Sequence, residues 1–157
     1  MKPPRMKNTM VYLLLACLLP LAGLLADTAA AGDVEWNAYD EALQRSKDEN
    51  KKIFLNFYAS WCRYCKAMDQ QTFTDPSIVG YLNDHFISVK VNVEKERDVA
   101  ALFRISPLPD TWFVAEDGEP IGNRPGFLNA EELLPILKFI QTDSYLKMSY
   151  ADFLDTL

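Results

Sequence analysis

The tightest constraint on this chain lies where an apolar run meets two closely spaced cysteines. Lys52–Ala59 (Lys-Ile-Phe-Leu-Asn-Phe-Tyr-Ala) is short and almost continuously apolar, the pattern of a central strand covered on both faces. Cys62-Arg-Tyr-Cys65 follows at once, and the stretch through Thr72 reads as a helix that opens at the cysteines. A strand running into such a helix puts Cys62 at its N-terminus, where free N–H groups and the macrodipole favour an anion. That favours the thiolate, the species that exchanges disulfides. Cys65 lies nearly one turn on, on the same face and close enough to close a disulfide. The pair reads as a thiol–disulfide redox centre, with Cys62 as nucleophile and Cys65 as resolving thiol.

Two blander readings are weaker. A bridge between residues three apart closes a tiny loop and removes little chain entropy, so a structural staple gains little. A closed zinc site wants four ligands, and the chain offers no second cysteine pair and one histidine, His85, predicted at a strand start. The expectation is therefore no metal, and no cofactor beyond the Cys62–Cys65 disulfide itself. His85 reads as an exposed or half-exposed residue without chemistry.

The N-terminus differs in kind. Met1–Met10 carries Lys2, Arg5 and Lys7 without an acid, and Val11–Ala26 is uncharged, broken only by Pro20. The small residues of Asp27–Gly32 follow, completing the pattern of a secretory signal peptide over residues 1–31, cut after Ala31, with Ala30 and Ala26 as alternative sites. An uncleaved membrane anchor is the other reading, although the apolar run falls short of the ~20 residues that span a bilayer comfortably. Cys17 belongs to this leader. Length suits one further domain, assigned to 32–142, with 143–157 as a C-terminal extension. A hydrophobic fraction of 49% against 24% charged residues is enough for a true core. Removing 1–31 takes away three basic residues and Asp27, leaving 13 basic against 21 acidic residues, a formal charge of −8. Such a surface repels phosphate backbones, so nucleic acid is not an expected partner.

Along the rest of the chain, Asn37–Asn50 reads as an amphipathic helix with Ala38, Tyr39, Ala42 and Leu43 on its apolar stripe and Asn37 as N-cap. Asp75-Pro76 restarts helical structure with Asp as N-cap and Pro at the first helical position. Phe86–Asn92 alternates apolar and polar residues, a strand of period two. Arg97–Phe103 reads as a short helix, and Thr111–Ala115 as a strand. The turn Glu116–Glu119 leads to another strand near Pro120–Asn123. Asn129-Ala-Glu-Glu132 is a capping box for a helix through about Gln141, in which Pro135 is tolerable within about the first turn. Tyr150–Leu157 has the pattern of one or two helical turns. The order suggests an α/β fold, a small central mixed sheet with helices on both faces.

The segment Ser60-Trp61-Cys62-Arg63-Tyr64-Cys65-Lys66 resembles the active-site segment of the thioredoxin superfamily. Together with Thr72–Pro76, Val89–Val93, Phe103–Pro109, the Asp117-Gly118 turn and Pro125-Gly126-Phe127, it is similar to the C-terminal, periplasmic thioredoxin-like domain of DsbD-type thiol:disulfide interchange proteins. The resemblance spans roughly Trp36–Ile140 and implies a thioredoxin-like fold. It also implies a periplasmic oxidoreductase that acts on disulfide-containing exported proteins and is re-reduced by a membrane donor of DsbD type. Membrane contact of its own is expected only if the leader stays uncleaved.

The resemblance further implies that Pro109 is a cis-proline facing the cysteines, with Pro107 as its competitor, and that the Leu108 backbone binds substrate in strand-like pairing. Trp61, Arg63, Tyr64, Leu108 and Asp110 are the expected substrate-binding residues. Three departures from the thioredoxin pattern stand out. The usual buried acid before the site is Asn56, so Asp69, four residues after Cys65, is the expected proton acceptor, with an exposed helix carboxylate as its plain alternative. Arg63 places positive charge near the Cys62 thiolate and favours the oxidising direction. Asp110 stands where thioredoxins usually carry Thr, either facing the groove or capping a turn. Against a reductase stand a dithiol oxidase or isomerase, and a binding module with incidental cysteines.

Overall fold

The computed structural model describes residues 32–157; the expected leader, its anchor alternative and Cys17 lie outside them. In chain order the elements are β1 (Trp36–Asn37), α1 (Tyr39–Glu49), β2 (Lys52–Tyr58), α2 (Arg63–Gln71), α3 (Pro76–His85), β3 (Phe86–Asn92), α4 (Arg97–Phe103), β4 (Asp110–Val114), β5 (Pro120–Pro125), α5 (Ala130–Gln141), a 3-10 turn (Ser144–Leu146) and α6 (Tyr150–Leu154). The five strands form one mixed sheet in the order β1-β3-β2-β4-β5. β2 runs parallel to β3 and antiparallel to β4, so the apolar run is the central strand.

Both faces of that strand are covered. Ile53, Leu55 and Phe57 pack with Ile87, Val89 and Val91 beneath α1 and α4. Phe54 faces the other way, among Met68, Ile78, Leu82, Phe113, Leu133 and Leu137, contributed by α2, α3, β4 and α5. Burial of these side chains at about 25 cal/mol per Å² is the main force holding the layers together.

Several expectations are corrected. Asn37 does not cap α1: it lies in β1 and its amide donates to the Ser88 carbonyl at 3.1 Å, while Ala38 takes the N-cap without a side-chain bond. The strand read from alternation in Phe86–Asn92 is β3, but its polar positions are not set apart by exposure. Ser88 and Asn92 are buried along with its apolar residues, because β1 and β2 flank it and helices cover both faces. Pro135 is the sixth residue of α5, deeper than the first turn. The carbonyl it leaves without an intrahelical donor belongs to Glu131, an exposed residue near the start of the helix. His85 is the last residue of α3, half-buried with its ring 4.4 Å from that of Tyr81.

The caps at Asp75 and at Asn129–Glu132 form as expected. Residues 143–157 fold back on α5. Phe153 is buried and its ring lies 5.2 Å from that of Phe139, with Tyr150 at 5.3 Å from the same ring. Lys52, nearly buried at the start of β2, binds Glu116 at 2.8 Å and Asp143 at 2.9 Å. Burial pushes this ammonium down, but its bonds to Asp143 and Glu116 outweigh that and leave it raised. Among the described residues no helix is long and apolar enough to cross a membrane.

Candidate active site

β2 ends at Tyr58, and Ala59–Trp61 turns the chain into α2, with Cys62 as its N-cap. Cys62 and Cys65 are joined as a disulfide with Cα atoms 5.3 Å apart. The Cys65 N–H donates to Cys62 Sγ at 3.1 Å, satisfying one of the donors that every helix start leaves open. The same N–H would hold negative charge on that sulfur after reduction.

The walls of the site come from three loops. Ala59, Cys62 and Cys65 form a small buried cluster with Tyr58, Val93 and Leu108 packed against it. Trp61, just before Cys62, and Tyr64, between the two cysteines, are 70% and 65% exposed, so two large side chains next to the redox pair are open to a partner. Arg63 is exposed beside them. Glu94 accepts from Ser60 N–H at 3.1 Å and from the Ser60 hydroxyl at 2.6 Å, tying the turn before Trp61 to the end of β3. The Ser60 hydroxyl first, then its N–H, hold the Glu94 carboxyl below its ordinary value.

Both Leu108–Pro109 and Ser106–Pro107 are cis peptides. Pro109 is buried and Pro107 exposed. The Pro109 carbonyl accepts from Gly126 N–H at 2.7 Å, while Leu108 N–H and C=O have no hydrogen-bond partner among the described residues. An extended peptide can use such free groups in strand-like pairing.

The three departures resolve differently. Asn56 is buried beneath α2, its amide 3.4 Å from Thr111 Oγ1 and 3.9 Å from Met68 Sδ. Asp69 is ion-paired with Lys90 and makes no hydrogen bond to either cysteine among the described residues. Asp110 does not face a partner. It is 2% exposed, and its carboxylate accepts from Trp112 Nε1 at 3.0 Å and from the Asn123 amide at 3.0 and 3.2 Å. The register of β4 with β5 turns it inward, which corrects its assignment to the substrate surface. Burial pushes the Asp110 carboxyl up, and the bonds from Asn123, Trp112 and Thr111 N–H return part of the shift.

Val93, Glu94, Lys90 and Thr111 were not singled out from sequence. Lys90 and Thr111 both lie in register with Asn56, on the strands either side. That register is the signal that brings them to the site.

A mixed sheet whose central strand delivers a bonded Cys-x-x-Cys pair to a helix N-terminus defines the class of thioredoxin-like domains. The model of the thioredoxin-like domain family matches residues 39–141, and the chain belongs to that family. It is 27% identical over 110 residues to the disulfide bond reductase DsbH of Chlamydia pneumoniae, covering 62% of this chain and 66% of that one. It is 31% identical over 107 residues to the thiol:disulfide interchange protein DsbD of Vibrio vulnificus, covering 64% of this chain and 17% of that one. A solved structure described as DsbH oxidoreductase superposes with a TM-score of 0.61 at 22% identity, over 87% of this chain and 99% of that one. The first curated relatives are far longer: the chain spans 10% of their length.

Proposed function

We propose that this protein is an exported reductase of protein disulfides, working in the periplasm. Cys62 thiolate attacks one sulfur of a partner disulfide, forming a mixed disulfide and releasing the partner's other sulfur as a thiolate that takes up a proton. Cys65 loses its proton and attacks Cys62 Sγ, so the partner leaves with both sulfurs reduced while Cys62–Cys65 is oxidised. Asp69, four residues on, and water are the acceptors of the Cys65 proton. A membrane donor of DsbD type returns two electrons to the pair. The only redox group required is the disulfide itself.

The observation that carries this reading is Cys62 at the α2 N-cap, its sulfur bonded by the Cys65 N–H, with Leu108 packed against the cysteine cluster and Trp61 and Tyr64 exposed next to the cysteines in the chain. Leu108 offers its free backbone groups to an extended substrate beside Pro109, and Trp61, Arg63 and Tyr64 form the surface that meets it. The positively charged start, apolar run and small residues of the leader support export. The reducing direction is supported by likeness to a protein named as a disulfide bond reductase. Arg63 beside Cys62 favours the opposite direction, that of a dithiol oxidase.

Equilibrium of the purified protein with defined dithiol buffers separates the two. A potential near that of thioredoxin, about −270 mV, supports the reductase, and one near about −120 mV makes the protein an oxidase.

A further inference from the structure

A groove of about 420 Å³ opens beside the redox pair, between α4 and the loop that precedes β4. Val93 and Leu108 line it and also pack against the cluster that holds both cysteines, so the groove and the redox pair share these two side chains as a wall. Ile105 and Ala100 extend its apolar lining, and Arg97 and Arg104 stand on it from opposite ends of α4. Both arginines are exposed.

Neither guanidinium has an ion-pair partner among the described residues. Arg97 Nε donates only to the Glu94 carbonyl, at 3.3 Å. The nearby acids are otherwise engaged or free: Glu94 holds Ser60, Glu96 accepts from Asn92 N–H at 2.9 Å, and Asp98, beside Arg97 in sequence, pairs with neither arginine. In a chain with a formal charge of −6, this groove is lined by two arginines outside any ion pair and by no acid. Charge of one sign at a groove selects the complementary sign in what binds there.

We propose that this groove selects its substrates: it takes an extended, disulfide-bearing segment that carries a carboxylate side chain near its cysteine, with Arg97 and Arg104 as the specificity-determining residues. The apolar lining receives the segment's side chains, the free Leu108 backbone pairs with its main chain, and the guanidiniums bind the carboxylate. This rests on the exchange chemistry proposed above.

The test uses pre-reduced protein and one peptide disulfide made in three versions, with Glu, Gln or Lys flanking the cysteine, and reads the second-order rate of peptide reduction. The expected order is Glu, then Gln, then Lys, with about a fivefold gain for Glu over Gln at low salt, as suits exposed charge pairs. In Arg97→Gln/Arg104→Asn the Glu:Gln ratio falls to one, and in Arg97→Glu/Arg104→Glu the order reverses. Asn at 104 suits the left-handed backbone there, φ 51°,. Equal rates for all three peptides with the unaltered protein overturn the selectivity while leaving the reductase reading intact. No reduction of any peptide overturns the exchange chemistry, and the selectivity with it.

Discussion

Lys90 of β3 is ion-paired with Asp69 of α2, across the layer that separates the sheet from the redox helix. Its ammonium also lies 4.9 Å from the centre of the Tyr58 ring and 5.5 Å from that of Trp36. Asn56, in register with Lys90 on the central strand, cannot ionise, so the acid that meets this cation comes from the helix instead. The same carboxylate stands one helical turn beyond Cys65.

Asp69→Asn removes that acid with little change of shape. The rate at which Cys65 resolves a mixed disulfide is expected to fall about tenfold, less than the usual effect of a proton acceptor because Lys90 already engages the carboxylate. Stability should drop by no more than about 1 kcal/mol, since both partners are partly exposed. Stopped-flow resolution rates against pH, beside denaturant unfolding, separate the two effects. An unchanged pH profile leaves Asp69 as a partner of Lys90 alone.

Asp110 gives a pH dependence of definite sign. Its folded-state carboxyl lies above the ordinary value of 3.8, chiefly through burial. Its favourable contribution is therefore complete below that value and lost as pH rises through the folded one. Glu94 and Asp75, both held below their ordinary values, act in the opposite sense. The difference between the protein and Asp110→Asn isolates the first effect. Denaturant midpoints should move in favour of the variant as pH rises from about 4 to 7; a constant difference contradicts the assignment.

The C-terminal segment is expected to contribute to stability. Phe153→Ala removes a buried ring that packs on Phe139, at a cost of about 3 kcal/mol. Asp143→Asn breaks one of the two bonds to nearly buried Lys52 and should cost less, because Asp143 itself is 46% exposed and Glu116 remains. Thermal unfolding of the two variants checks the order.

How much of this was legible in the sequence varies with the range of the interaction. The β2–Cys62–α2 unit, the Asp75 cap and the Asn129–Glu132 box depend on neighbours a few residues apart, and all are visible in the chain. β1 is two residues long and exists only by pairing with β3, so no periodicity announces it, and Asn37 reads as a cap instead. The alternation in Phe86–Asn92 suggests an exposed face that the layers on both sides remove. Asp110 reads as a groove residue because its partner Asn123 lies 13 positions away, across a strand register that composition does not encode. The basic pair on α4 is equally silent, because an arginine without an acid is recognised only when its surroundings are known.

The central claim is that Cys62 exchanges disulfides and Cys65 resolves the product. Its most direct test is mass spectrometry of Cys65→Ser after mixing with a peptide disulfide under native conditions. The account predicts a stable mixed disulfide on Cys62, absent from the unaltered protein and absent from Cys62→Ser. No adduct on Cys62 in Cys65→Ser would contradict it and leave a binding module whose cysteines are incidental.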